Sequence, residues 1–148
     1  AVLAPLLKAL DEYMQYHNSS EHLVIEFSSV EQMQKQMMSR LLELIGQFRA
    51  ELKLLFFNVE GTSLEGYRDR LTKQQTQLGM EYLQMLKQKY PQLHVEISPF
   101  LMYIVCSMWT AALFEIVKHE ELTEAEITKF FAEYFEFSVA GWRKLMKA

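Results

Sequence analysis

Apolar residues recur at three- and four-residue intervals along almost the whole chain, which predicts helix after helix. Leu3, Leu6, Leu7, Leu10, Tyr13, Met14 and His17 define a first amphipathic helix, with Pro5 in its first turn or at a kink. Asn18-Ser19-Ser20 ends it, and the apolar run Leu23 to Phe27 reads as a connecting turn or short helix. Ser28 and Glu31 have the spacing of a capping box, in which a hydroxyl and a carboxylate satisfy free backbone N–H groups. The stripe Val30, Met33, Met37, Leu41, Leu44, Phe48, Leu52, Leu55 follows and predicts a long helix ending near Gly61. Gly46 inside it marks close packing or a kink, since glycine costs about 1 kcal/mol against alanine there.

Thr62 and Glu65 form another box, and Leu64, Tyr67, Leu71, Leu78, Tyr82, Met85 and Leu86 predict a helix running to Tyr90 and stopped by Pro91. Leu93, Val95 and Ile97 alternate, but three positions do not make a strand. Ser98 and Pro99 open a helix that runs to about His119. The last helix starts at the box Thr123–Glu126, stapled by Leu122 and Ile127. Lys129, Glu133, Glu136, Ala140, Arg143 and Lys144 form its solvated arc. Phe130, Phe131, Tyr134, Phe135, Phe137, Val139 and Trp142 cover most of the remainder, more than one buried stripe requires. Such a helix faces two partners: its own core and, most simply, a second copy of the chain.

The pattern is therefore all-α, an antiparallel helical bundle forming a single domain over residues 1–148. At 50% hydrophobic residues it can bury a core without staples. The net charge of −4 and 15 scattered basic residues leave no electrostatic footprint for nucleic acid. One cysteine, Cys106, forbids an intrachain disulfide and a thiolate metal cluster, and points to the cytoplasm. The apolar start at Ala1 to Leu10 carries Pro5 and Lys8 and has no leader pattern. Phe100 to Phe114 falls short of the ~20 residues a bilayer demands and meets Glu115, so no membrane span is expected.

Catalytic motifs are missing: no H-E-x-x-H, no phosphate-cradling glycine loop, no G-x-S-x-G. An enzyme is not expected, and neither is a cofactor. His17 and His22 are five apart, off the spacing of a helical metal pair, so no metal site is expected either. What remains is apolar volume with sparse polar groups. Tyr103, Cys106 and Thr110 share one stripe of their helix, with Ile104, Met108 and Ala111 on the other side. Gln75 falls between Leu71 and Leu78, with Tyr82 a turn beyond, and a buried glutamine needs partners. Met33, Met37, Met38 and Phe48 offer adaptable apolar walls. These residues either line a small-molecule pocket or are core packing, and Gln75 could equally bond to water.

The closing pair of helices, SPFLMYIVCSMWTAALFEIVKHEELTEAEITKFFAEYFEFSVAGWRKLM, resembles the end of the C-terminal regulatory domain of tetracycline-repressor (TetR) family transcription regulators. The opening AVLAPLLKALDEYM resembles the helix that follows that family's DNA-binding head. The likeness covers nearly the whole chain and rests on helical pattern, without a sharp signature. It implies a homodimer in which the last two helices pair across a two-fold axis into a four-helix bundle. Ile104, Met108, Ala111, Phe131, Phe135 and Trp142 would form that interface, with Ala111 and Ala112 letting backbones approach. A small apolar or aromatic effector would enter against Met37, Phe48, Gln75, Tyr82, Tyr103, Cys106 and Thr110. Binding would shift the first helix and so the spacing of two DNA-binding heads. No helix-turn-helix segment precedes the regulatory region in this sequence, which implies a piece of a longer regulator or a relative that has lost DNA binding. Two rival readings stand: a helical protein–protein adaptor whose second apolar face takes a different chain and, more distantly, a small enzyme of unfamiliar scaffold whose turnover would depend on Gln75, Tyr103 or Cys106.

Overall fold

Capping chemistry and apolar stripes build five helices among the residues described by the computed structural model, which are 3–17, 30–58, 60–62 and 66–147. They are α1 (Ala4–His17), α2 (Val30–Phe57), α3 (Tyr67–Lys89), α4 (Pro99–Lys118) and α5 (Glu124–Met146), and no strand occurs among the described residues. The expected Ser28 cap, the run Leu23 to Phe27 and His22 lie outside them, as do the side chains of His17 and Met33.

Helix starts follow local chemistry where it is strong. At α5, Thr123 Oγ1 accepts from Glu126 N at 3.1 Å and Glu126 Oε2 accepts from Thr123 N at 2.8 Å, a reciprocal box. At α4, Ser98 Oγ accepts from Leu101 N and Pro99 takes the first turn, where its missing N–H costs nothing. Glu65 of the expected Thr62 box lies outside the described residues. Helix α3 begins at Tyr67 behind Gly66, whose φ of 80° lies in the left-handed region and breaks the chain before the helix. Helix α2 bends at Phe48, with φ −121° and ψ 24°. Gly46 meets nothing within 4 Å where a Cβ would sit, so it marks the bend rather than a close approach.

Two cores result. The larger joins Leu6 of α1, Leu41, Leu44, Ile45, Leu52 and Leu55 of α2, Ile116 and Val117 at the end of α4, and Ile127 and Phe131 at the start of α5. Arg49 ties this half by donating to the Ile116 and Val117 carbonyls at 3.3 and 3.0 Å, covering free acceptors at the α4 C-terminus. Lys53 pairs with Glu120 just beyond. Phe56 stacks on Phe114 at 3.9 Å, and the Arg68 guanidinium lies 4.0 Å over the Phe114 ring. The smaller core gathers Leu83, Leu86, Ile97, Met102 and Met146. The Met146 carbonyl accepts from His94 N at 3.1 Å, pinning the end of α5 to the α3–α4 connection.

Candidate functional site

Helices α3 and α4 run antiparallel and are the most closely packed pair. Small and hydroxylated residues make that approach possible. A Cβ at Gly79 would fall 2.6 Å from Met102 Sδ, so the glycine lets Met102 lie against α3. Nearer the α3 N-terminus, the Thr72 hydroxyl lies 3.4 Å from that of Thr110, which donates to the Cys106 carbonyl at 2.9 Å. Thr110 is 1% exposed, and with its one hydrogen given to the Cys106 carbonyl it is sealed between α3 and α4 rather than presented to the cleft.

Helix α5 stands off from this pair along its second half, leaving a cleft of ≈ 410 Å³. Gln75, Gly79, Tyr82, Leu83 and Leu86 come from α3, and Met102, Val105, Cys106 and Trp109 from α4. The α5 wall is Tyr134, Ser138, Trp142 and Met146 at four-residue spacing, with Phe135, Val139 and Arg143 one position on. Met37 of α2 closes one end. Trp109 sits 5.2 Å from Tyr134 and 6.0 Å from Phe135, so aromatic rings make up that end of the wall. A second depression, between α2 and the start of α5, is edged by Glu43, Arg49 and Glu124 and lacks this apolar, aromatic lining.

Electrostatics inside the cleft favour neutral groups. Burial raises the Tyr82 phenol to about 12, with Tyr90 adding to it, so Tyr82 stays protonated as a donor. Burial likewise raises Cys106 against a hydrogen bond from Thr76, which keeps the thiol from becoming a nucleophilic thiolate near neutral pH. Tyr134 is raised by the same cause. Arg143 is the one charged side chain among the described lining residues, and it is solvent-exposed. Among the described residues no three His, Cys, Asp or Glu side chains converge as a metal would need.

The pocket residues expected from the sequence separate. Met37, Gln75, Tyr82 and Cys106 meet in the cleft. Phe48 packs at the α2 bend against the larger core, and Tyr103 is not in the cleft wall. The interface residues separate too. Ile104 and Met108 are 39% and 47% exposed, and Ala111 is half-buried. Phe131 is completely buried in the larger core and cannot meet a partner. Phe135 and Trp142 belong to the cleft wall. Missed at the sequence level were Gly79, Met102, Val105, Trp109, Tyr134, Ser138, Val139, Arg143 and Met146, besides the leucines. A signal was present: Ser138 and Trp142 continue the stripe of Tyr134 at helical spacing, a polar residue set in an aromatic row.

Outside the cleft, α4 and α5 expose an apolar face. Phe100 is 73% and Phe137 71% exposed, and Phe130 joins Ile104 and Met108 on the same helices. Helix α4 has 20 residues, longer than the stretch Phe100 to Phe114 suggested, and is long and apolar enough to cross a membrane by length and composition. Only 28% of its most apolar stretch is buried within the protein. Its inner side is nonetheless committed to α3 through Thr110, Phe114 and Met102. No family model matches the chain, and neither a curated protein nor a solved structure is significantly similar to it.

Proposed function

We propose that this chain is the effector-sensing and dimerisation domain of a TetR-like transcription regulator, acting without catalysis. The observation that carries the reading is the double use of α4 and α5. One arc of each helix walls the cleft, and the neighbouring arc presents Phe100, Ile104, Met108, Phe130 and Phe137 outward. Exposed apolar residues in such a row mark an interaction surface. A second copy is the simplest cover, because a two-fold axis lets one apolar strip bury its own equivalent. The result is a four-helix bundle of the kind the resemblance implies. Gly141 is exposed, and a Cβ there would meet nothing within 4 Å, which leaves room for a neighbouring backbone beside Phe137.

In this reading an effector in the cleft wedges against α5, which is the shared element of cleft and dimer face. Helix α1 packs through Leu6 on the same core that holds the start of α5. Movement of α5 therefore reaches α1, and from α1 a helix-turn-helix head ahead of it. The effector must prefer one head spacing, since equal affinity for both shifts nothing.

Sedimentation equilibrium tests the dimer. The protein is expected to sediment as a dimer, and Met108→Glu or Phe137→Glu to give a monomer with unchanged helicity by circular dichroism. A wild-type monomer across the micromolar range, or charged variants that remain dimers, would refute this face. A stable complex with a different chain through Met108 and Phe137 would move the protein to the adaptor reading.

A further inference from the structure

The hydrogen-bonding groups of the cleft narrow what it can hold. Gln75, Tyr82 and Ser138 all line it and are half-buried, yet no hydrogen bond joins their side chains to another described residue. Trp109 and Trp142 add indole N–H groups, which can only donate. Methionine, with its weak thioether sulfur, is the one lining side chain that can only accept. The wall therefore carries a surplus of donors, and an occupant satisfies it by bringing acceptors. Charge finds no place there. No carboxylate lies among the described lining residues, and the one charged side chain, Arg143, already has an interaction partner. An ion taken from water into this cleft would lose hydration and gain no countercharge.

Ring faces supply the remaining selectivity. At one end Trp109 lies 5.2 Å from Tyr134 and 6.0 Å from Phe135. Elsewhere in the wall Tyr82 and Trp142 pack against the same smaller core, which brings a neutral phenol donor to an aromatic surface. We infer that the cleft binds a neutral, planar aromatic ketone, with its rings against the tryptophans and its carbonyl accepting from the Tyr82 hydroxyl. The inference deepens the effector reading and rests on the cleft being the effector site. A ketone oxygen accepts and cannot donate, so it matches the donor surplus, and it brings no charge. Flat rings gain offset or edge contacts with the aromatic wall beyond the area they bury. The volume of ≈ 410 Å³ falls in the range of ~300–1,000 Å³ usual for small-molecule sites.

Equilibrium dialysis with tricyclic probes of similar shape separates ring, carbonyl and charge. The probes are fluorenone, fluorene (which lacks the carbonyl), the carboxylate anion of fluorenone and the proflavine cation. Fluorenone is expected to saturate and to bind about tenfold more tightly than fluorene, which leaves the Tyr82 donor unpaired. Both ions should bind at least about tenfold more weakly than fluorenone. Tyr82→Phe should weaken fluorenone about tenfold and leave fluorene unchanged. Tyr103→Phe, outside the cleft wall, should change neither. Ser138→Trp should fill the cleft and abolish binding of both, with helicity and sedimentation unchanged. The chain's two tryptophans, Trp109 and Trp142, both line the cleft, so their quenching in the native protein should track occupancy.

Equal binding of fluorene and fluorenone, indifferent to Tyr82→Phe, would overturn the ketone while leaving the cleft as an effector site. Preference for either ion would overturn it in the same way. No saturable binding of any probe, or binding that survives Ser138→Trp, would remove the cleft as the site. A Ser138→Trp variant that sediments as a monomer would show that a second copy, and not a small molecule, occupies the cleft.

Discussion

The two ends of the α4–α5 pair are built from the same residue types and do opposite things. Near their junction, Ile116, Val117, Ile127 and Phe131 close against α1 and α2 with almost no exposure. Toward the far ends, Val105, Trp109, Tyr134, Val139 and Trp142 stay half-buried around the cleft. Composition does not explain the contrast; the neighbours do. The junction is fixed by the Thr123–Glu126 box, by Arg49 on the α4 carbonyls and by the Lys53–Glu120 pair, which hold α2 across it. Beyond Phe135, no residue of α5 joins the larger core, Met146 entering the smaller one, and α3 is drawn to α4 instead by Gly79 and the Thr72–Thr110 contact. A well-packed end anchors the helices so that an under-packed end can accept a ligand, which is how regions of low local stability come to carry function.

Truncation should separate the two ends sharply. Phe131→Ala removes a completely buried ring from the closed end and is expected to cost about 3–5 kcal/mol in urea unfolding. Leu52→Ala, in the same core on α2, should cost about 2–5 kcal/mol. Val139→Ala in the cleft wall should cost less than about 1 kcal/mol, because solvent already reaches the site and no new sealed void forms. A Val139→Ala cost matching that of Leu52→Ala would mean that the cleft is closed in solution, and the contrast would fail.

Much of the fold was legible because its signals are local. A threonine three residues before a glutamate caps α5 whatever the rest of the chain does, and Ser98-Pro99 does the same for α4. At α3 no side chain caps the first turn, and Gly66 in its left-handed conformation sets the start at Tyr67, a signal that helical periodicity does not carry. The site was less legible, because periodicity says which arc of a helix is apolar but not which partner each part of the arc meets. Phe130 and Phe131 are adjacent in sequence, yet one is 37% exposed and the other fully buried. The excess of aromatics on α5 points Phe135 and Trp142 toward a dimer face, a valid count that cannot divide cleft from surface. Cys106 and Thr110 share a stripe, but only their tertiary neighbours show Thr110 sealed against Thr72 while Cys106 lines the cleft.

The cap that anchors the closed end can be weakened alone. Thr123→Ala removes the hydroxyl that accepts from Glu126 N and should cost about 1 kcal/mol, lowering the thermal midpoint by a few degrees. If the closed end is the anchor, hydrogen exchange should quicken in the first turns of α5 and reach Ile127 before it reaches Trp142. Exchange that quickens first at Trp142 would reverse the order of the two ends.

The smallest effect is electrostatic and sits at the same junction. His119 Nδ1 lies 2.6 Å from Glu121 Oε1 and its Nε2 3.2 Å from Glu115 Oε2. The Glu121 contact, with Glu115 adding to it, raises the imidazole above its ordinary value, and all three groups are exposed. A raised folded-state value means that the protonated histidine favours folding. Its contribution is complete below the unfolded-state value and fades as pH rises through the folded one. Glu121 is lowered, by its own backbone and by His119, so its share runs the other way and is lost only as pH falls through the carboxylate range. Following His119 by NMR should therefore give a midpoint above that of a free histidine, and Glu121→Gln should bring it down. Salt should shrink the shift, since exposed pairs are screened. An unshifted midpoint would show that the α4–α5 corner is held by the Thr123 cap, Arg49 and the Lys53–Glu120 pair without His119, leaving this corner insensitive to pH near neutrality.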